Sequence, residues 1–135
     1  MLYLPYPIST NRYWRTFRGR TIRSAEAVAY KEQVAEIALE SGMKIHPGCV
    51  RVDMLLHPAL PKDWEKRQKK DPLWLLSVRR IDLDNAMKVA IDALQGIAFE
   101  NDRQITSLSI GLGHAVMDGA LSVRVYHDLV WGKVA

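Results

Sequence analysis

The chain has 135 residues, 48% apolar and 25% charged, a length and composition that suit one domain, 1–135, around a single core and leave no room for two. No run nears eighteen uninterrupted apolar residues, and Met1-Leu2-Tyr3-Leu4-Pro5 is too short and too soon broken for a signal peptide, so a membrane or secreted protein is not expected and the cytoplasm is. Net charge is +4, but residues 1–80 hold fifteen Lys and Arg against eight Asp and Glu, while 81–135 hold four against seven; a basic half beside an acidic cluster suits a nucleic acid whose phosphates are handled by a metal.

In chain order, Leu2 to Tyr6 reads as a short edge strand ended by Pro5 and Pro7. A loop is expected from Asn11 to Arg23. It contains Arg12, Arg15, Arg18, Arg20 and Arg23, no acid, and the aromatics Tyr13, Trp14 and Phe17. Arginine forks suit phosphates, and the aromatics either stack on exposed bases or pack on the core. Ser24 is placed to cap a helix from about Ala25 to Ser41 that ends at Gly42, with Ala27, Tyr30, Val34, Ile37 and Ala38 on its apolar face. Its outer face carries Glu26, Glu32, Glu36 and Glu40 and belongs to the scaffold. Val50, Val52, Met54 and Leu56 alternate as a strand with one buried face, stopped at His57-Pro58.

Pro61 to Lys70 is basic and predicts a short helix. With Leu73 to Leu76 it forms an excursion that suits either a substrate-binding arm or a partner surface. Trp64 and Trp74 fit a wedge against bases or, more commonly, packing. Ile105–Leu112 and Leu121–Tyr126 read as two strands, with Asp118-Gly119 as the hairpin signal between them. The expected architecture is α/β (α+β): a small mixed or antiparallel sheet of about four strands with two main helices, in the order β-α-β-(short α)-α-β-β. His46, His57, His114 and His127 lack ligand spacing and read as structural. Cys49 is the only cysteine, so no internal disulfide or cysteine zinc site is expected.

The densest chemistry lies in Arg79-Arg80-Ile81-Asp82-Leu83-Asp84-Asn85-Ala86-Met87-Lys88. Asp82 and Asp84, two apart in an extended stretch, would point to one side, and carboxylates so close repel unless a hard cation such as Mg²⁺ or Mn²⁺ lies between them. Asp84 or Asn85 is expected to cap a helix with Met87, Ile91 and Leu94 on one face, ended by Gly96. Lys88 falls one turn after Asp84, whereas Asp92, two turns along, is left outside the ligand set. If Ile97 to Asp102 runs back extended, Asp102 becomes the third carboxylate, with Glu100 in reserve. The stretch lacks the third oxygen ligand and the glycine of a calcium loop.

Taken together, Asn11-Arg12-Tyr13-Trp14-Arg15, Arg18-Gly19-Arg20-Thr21, Ser24-Ala25-Glu26, Ala29-Tyr30, Asp82-Leu83-Asp84-Asn85, Lys88, Asp92-Ala93-Leu94 and Asp102-Arg103-Gln104-Ile105 closely resemble the RusA family of Holliday-junction resolvases, of bacterial and prophage origin. The resemblance implies a small α/β homodimer that needs Mg²⁺, with Mn²⁺ as a substitute, and makes paired nicks across a four-way DNA junction in recombination and repair. It assigns Asp82, Asp84 and Asp102 to the metal and Lys88 to catalysis; residue chemistry, not the resemblance, suggests Arg12, Arg15, Arg18, Arg20, Arg79, Arg80 and Asn85 for DNA. Where the family often has two aspartates this chain has Asn101-Asp102, and its 58–79 segment exceeds that of the shortest relatives. A two-fold junction calls for a C2 dimer, for which Leu73–Leu76 or Val130-Trp131 are the expected contacts. The other readings are a metal-dependent nuclease without junction preference, and a non-catalytic nucleic-acid-binding protein whose acidic cluster only caps a helix.

Overall fold

The computed structural model describes residues 1–131, of Trp131 the backbone alone; the Trp131 side chain and residues 132–135 of the expected tail lie outside the described residues. Strand β1 (Leu2–Leu4) buries Leu2 and Leu4 and turns Tyr3 outward, and Pro5 ends it as expected. A single helical turn α1 (Thr10–Tyr13) follows, then two strands, β2 (Trp14–Phe17) and β3 (Arg20–Arg23), which pair antiparallel. This corrects the expected loop. Arg18 and Gly19 both take positive φ, 50° and 74°, and that left-handed pair closes a two-residue hairpin whose twist matches its strands.

Helix α2 (Ala25–Glu40) starts where predicted, the Ser24 hydroxyl accepting from the Ala27 N–H at 3.1 Å. Strand β4 (Val50–His57) buries Val50, Val52, Met54 and Leu56 and is followed by α3 (Trp64–Lys70), a 3₁₀ turn (Trp74–Ser77) and helix α4 (Leu83–Leu94). Helix α3 starts at Trp64 rather than at Pro61. A second 3₁₀ turn (Asp102–Gln104) leads into β5 (Ile105–Leu112), and β6 (Ala120–His127) completes the main sheet.

The main sheet has the order β1-β6-β4-β5. Strand β4 is one of its two inner strands, antiparallel to β6 and parallel to β5. The expected hairpin between β5 and β6 is therefore not formed. Asp118 and Gly119 do make a turn with positive φ, but the strands on either side of it lie on opposite flanks of β4. A strand as thoroughly apolar on one face as β4 gains most when both its edges are paired and a helix covers that face. A parallel β4-α4-β5 crossover supplies both.

Helices α2 and α4 cover one face, burying Tyr30, Val34 and Ala38 with Ala86, Val89, Ala90, Ala93 and Leu94 against the four apolar residues of β4. Among the described residues no helix covers the other face. There Asp53 accepts from the Tyr126 hydroxyl at 2.6 Å and the Ser109 hydroxyl at 2.7 Å, with Arg124 facing Asp53 and Arg51 facing Tyr126 in the strand register. These hydrogen bonds, Tyr126 first, hold the Asp53 carboxyl below its ordinary range.

His57, fully enclosed, is a satisfied core residue: Nδ1 lies 2.9 Å from the His114 carbonyl oxygen and Nε2 2.7 Å from Ser122 Oγ. Gly113 lies so close that a Cβ there would meet the ring at 2.6 Å. Because both ring nitrogens are engaged, the imidazole has no easy retreat. Gly113→Ala is expected to destabilise the fold by about 1–3 kcal/mol, read as a fall in melting temperature; an unchanged melting temperature would show that the ring moves freely.

Candidate active site

Three anchors bring the acidic segment to the His57 end of the sheet. The chain leaving β1 carries Tyr6, whose ring lies against Gly119 beside the His57 carbonyl. The Tyr6 hydroxyl accepts the Ile81 N–H at 2.8 Å, fixing the backbone one residue before Asp82. The Thr10 hydroxyl donates to Asn85 Oδ1 at 3.3 Å, tying α1 to the first turn of α4. Half-buried Arg80 donates through Nη1 to the Ile81 carbonyl at 3.1 Å, so it braces the same corner, whereas Arg79 is exposed.

Helix α4 (Leu83–Leu94) begins at least two residues earlier than the expected cap at Asp84 or Asn85. Asp82, with φ −66° and ψ 146°, is its N-cap residue, and Asp84 lies in the first turn. The two carboxylates thus stand at a helix start and not in an extended pair. Asp82 makes no capping hydrogen bond, and among the described residues neither Asp82 nor Asp84 joins an ion pair. Both are exposed, as is Lys88 one turn further on. The helix N-terminus eases their charge only in part. Two hard oxygen donors without a cationic partner fit a divalent ion such as Mg²⁺ or Mn²⁺.

Asp102 does not join them. It opens the turn before β5, at the opposite end of the sheet, where Val50 is in register with Ile105 and Gln104 Nε2 donates to the His46 and Gly48 carbonyls at 2.8 Å each. The seven steps of β4 between those ends measure about 23 Å. In keeping with this, no three His, Cys, Asp or Glu side chains among the described residues form a group able to hold a metal ion. The expectation that one chain gathers all three carboxylates is therefore corrected. Residues 97–102 do not run back along the helix. The Gly96 N–H donates to the Phe99 carbonyl at 2.7 Å, folding the stretch on itself, and Ala98 and Phe99 plug the foot of the core. A strand parallel to β4 has to be entered at the end where β4 begins.

The arginines divide. Arg15, Arg18 and Arg20 are exposed on the hairpin, whereas Arg12 pairs with Glu26 at 2.5 Å, an exposed contact that costs little to exchange for another anion. Asn85 is half-buried with its carbonyl oxygen engaged, which leaves its NH₂ group as the donor for an outside partner. Arg23 is committed elsewhere. Its Nε and Nη2 grip both Asp92 oxygens at 2.7 Å, and the buried Tyr13 hydroxyl also donates to Asp92.

Asp92, absent from the expected ligand set, is thus the tie between the hairpin and helix α4. Below it, Lys31 Nζ donates to the Asp92 and Gln95 carbonyls at 2.9 Å each and to the Ala93 carbonyl at 3.5 Å, closing the open carbonyls at the end of α4. The only sequence signals were a lone acid in an otherwise apolar half-helix and an arginine run with no acid of its own.

Among known proteins, the description of endodeoxyribonuclease RusA matches residues 5–126. The chain belongs to the RusA family. It is 36% identical over 127 residues to the crossover junction endodeoxyribonuclease RusA of Escherichia coli (strain K12), covering 90% of this chain and 89% of that one. It is 35% identical over 126 residues, at the same coverage, to the enzyme of that name from Enterobacteria phage 82, and 35% identical over 127 residues to the one from Shigella sonnei (strain Ss046).

Burial alone would raise the Asp92 carboxyl, but the hydrogen bonds from Arg23 and Tyr13 and the Arg23 charge outweigh it and hold the group below its ordinary value of 3.8. A carboxylate depressed in the folded state contributes stability that is complete above the unfolded value and is lost as pH falls through the folded one. Asp92→Asn is therefore expected to destabilise the protein near neutrality by about 1 kcal/mol, a figure reduced because Arg23 keeps access to water. In urea unfolding the gap between variant and native protein should close as pH drops below 3.8. A gap that stays constant with pH would refute the ionic tie.

Proposed function

We propose that this chain is a metal-dependent endodeoxyribonuclease that resolves four-way DNA junctions by paired symmetric nicks, in DNA recombination and repair, with residues 1–135 acting as one endonuclease domain. The observation that carries the proposal is the pair of unneutralised carboxylates, Asp82 and Asp84, at the start of a helix with Arg79 and Arg80 just before it and Lys88 one turn on, in a chain of the RusA family.

When bound, Mg²⁺, or Mn²⁺ in its place, supplies Lewis acidity at the scissile phosphate and acidifies water. The protein's own groups do the rest. Asp82 and Asp84 would hold the ion, on a segment fixed by Tyr6 at the Ile81 backbone and by Thr10 at the Asn85 side chain. Lys88 sets an ammonium on the exposed face beside them, where it neutralises charge building on the phosphate oxygens, a role typically worth several kcal/mol when preorganised. Arg79, Arg80 and Asn85 orient the phosphates next to the cut. Arg12, Arg15, Arg18 and Arg20 grip the backbone further out.

The partner is a second copy of the chain. A junction has two scissile strands related by a two-fold axis, and each chain carries one Asp82-Asp84 pair, so a C2 dimer matches the substrate. Asp102, lying at the far end of the sheet from that pair, reaches a common site only from the other subunit. On this reading each site takes Asp82, Asp84 and Lys88 from one protomer and Asp102 from the other.

Asp84→Asn is expected to abolish nicking of a synthetic four-way junction in Mg²⁺ while leaving junction binding within about twofold. Loss of binding with nicking preserved would contradict the assignment, and equal cutting of linear duplex would reduce the function to that of an unselective nuclease.

Shared sites make a sharper demand. Asp84→Asn and Asp102→Asn, each inactive alone, should regain single-strand nicking when co-refolded, because one site of the mixed dimer then holds all its native residues. If the mixture stays inactive although sedimentation shows that mixed dimers form, the site is not shared.

A further inference from the structure

The β2–β3 hairpin carries a side chain that gripping phosphates leaves unexplained. Phe17 is 48% exposed on a two-stranded sheet separate from the main one. Strand alternation puts it on one face with Arg15, opposite Arg20 and Ile22. The guanidinium carbons of Arg15 and Arg18 lie 5.5 and 5.2 Å from its ring centroid. The other face is the foundation. Trp14 packs edge-on to buried Tyr13 at 4.9 Å, Arg23 lies over Trp14 at 5.7 Å, and Arg23 is clamped to Asp92 on α4.

We propose that Phe17 is a stacking platform for a nucleobase left unpaired near the branch point of the DNA, with Arg15, Arg18 and Arg20 holding the phosphates on either side of that base. The inference rests on the junction-cutting reading above and deepens it by naming a contact to a base.

Charge selects the occupant. Arg15, Arg18 and Arg20 are exposed around the ring, and residues 11–23 contain no acid, so this end of the hairpin repels a second copy of a chain that is itself at +4 and attracts a polyanion. Among polyanions, one with flat π faces fits an exposed ring. The guanidiniums now over the ring are on exposed side chains. They turn to phosphates at little cost when DNA arrives, uncovering the ring for a base. With its base fixed to α4, the hairpin presents ring and cations already in place, which limits the entropy lost on binding. Every base offers a π face, so the contact favours an open junction centre over paired duplex without selecting a sequence.

The test uses full-length protein carrying Asp84→Asn, to prevent cutting, and four-way junctions with 2-aminopurine at positions stepping outward from the branch point. Protein with Phe17 intact is expected to quench the fluorophore at one or two positions next to the branch. Phe17→Ala should abolish the quench and weaken junction binding roughly tenfold, within the range given by base stacking, with the melting temperature unchanged. Phe17→Trp should restore both signals and Phe17→Leu neither. If Phe17→Ala binds and quenches as before, or if Phe17→Leu restores both signals, the platform does not exist. A shift from dimer to monomer on Phe17→Ala would show instead that the ring serves protein contact. Failure of the Phe17 protein itself to bind junctions over duplex would overturn the junction-cutting reading, a result distinct from loss of quenching alone.

Discussion

The parallel pairing of β5 with β4 governs the rest of this structure. Once β4 holds an inner place in the sheet with one face wholly apolar, the chain has to leave at the His57 end, cross that face as a helix, and re-enter at the Val50 end. The crossover buries the apolar stripe of α4 and at the same stroke leaves the acidic start of α4 in water. It also carries Asp102 to the far end. A requirement of packing thus separates residues that the linear order suggests belong together.

Much of the scaffold was legible because short-range signals decided it. Ser24 capping α2, Gly42 and Gly96 closing the two long helices, and the alternation in β4 are all effects of neighbours within a few residues, and each element formed where those signals lay. The Arg18-Gly19 turn was a signal of the same kind, hidden because the surrounding arginines read as a solvated loop. The pairing of β5 was not legible. Asp118-Gly119 made a turn as such dipeptides do, yet the choice of strand partner depends on which neighbour buries the most apolar area across the whole sheet.

The site divides along the same line. Asp82, Asp84 and Lys88 fall within two turns of one helix start, a placement that their spacing in the chain already implies. Asp102 was misplaced because its position depends on a strand partner. The Tyr13-Arg23-Asp92 tie joins residues far apart in the chain and left no periodic trace. Its place in the molecule is nonetheless central, since it couples the basic hairpin to the helix that bears the carboxylates.

The helix-free side of the sheet has an implication for solubility. Sheets exposed on one side invite lamination with any other greasy plane they meet. Here the middle of that side is a small polar lattice, in which the Asp53 carboxylate receives the Tyr126 and Ser109 hydroxyls between two guanidiniums. Burying such a lattice against a dry surface would strip its charged and hydroxyl groups of water, a cost that opposes stacking of one sheet on another.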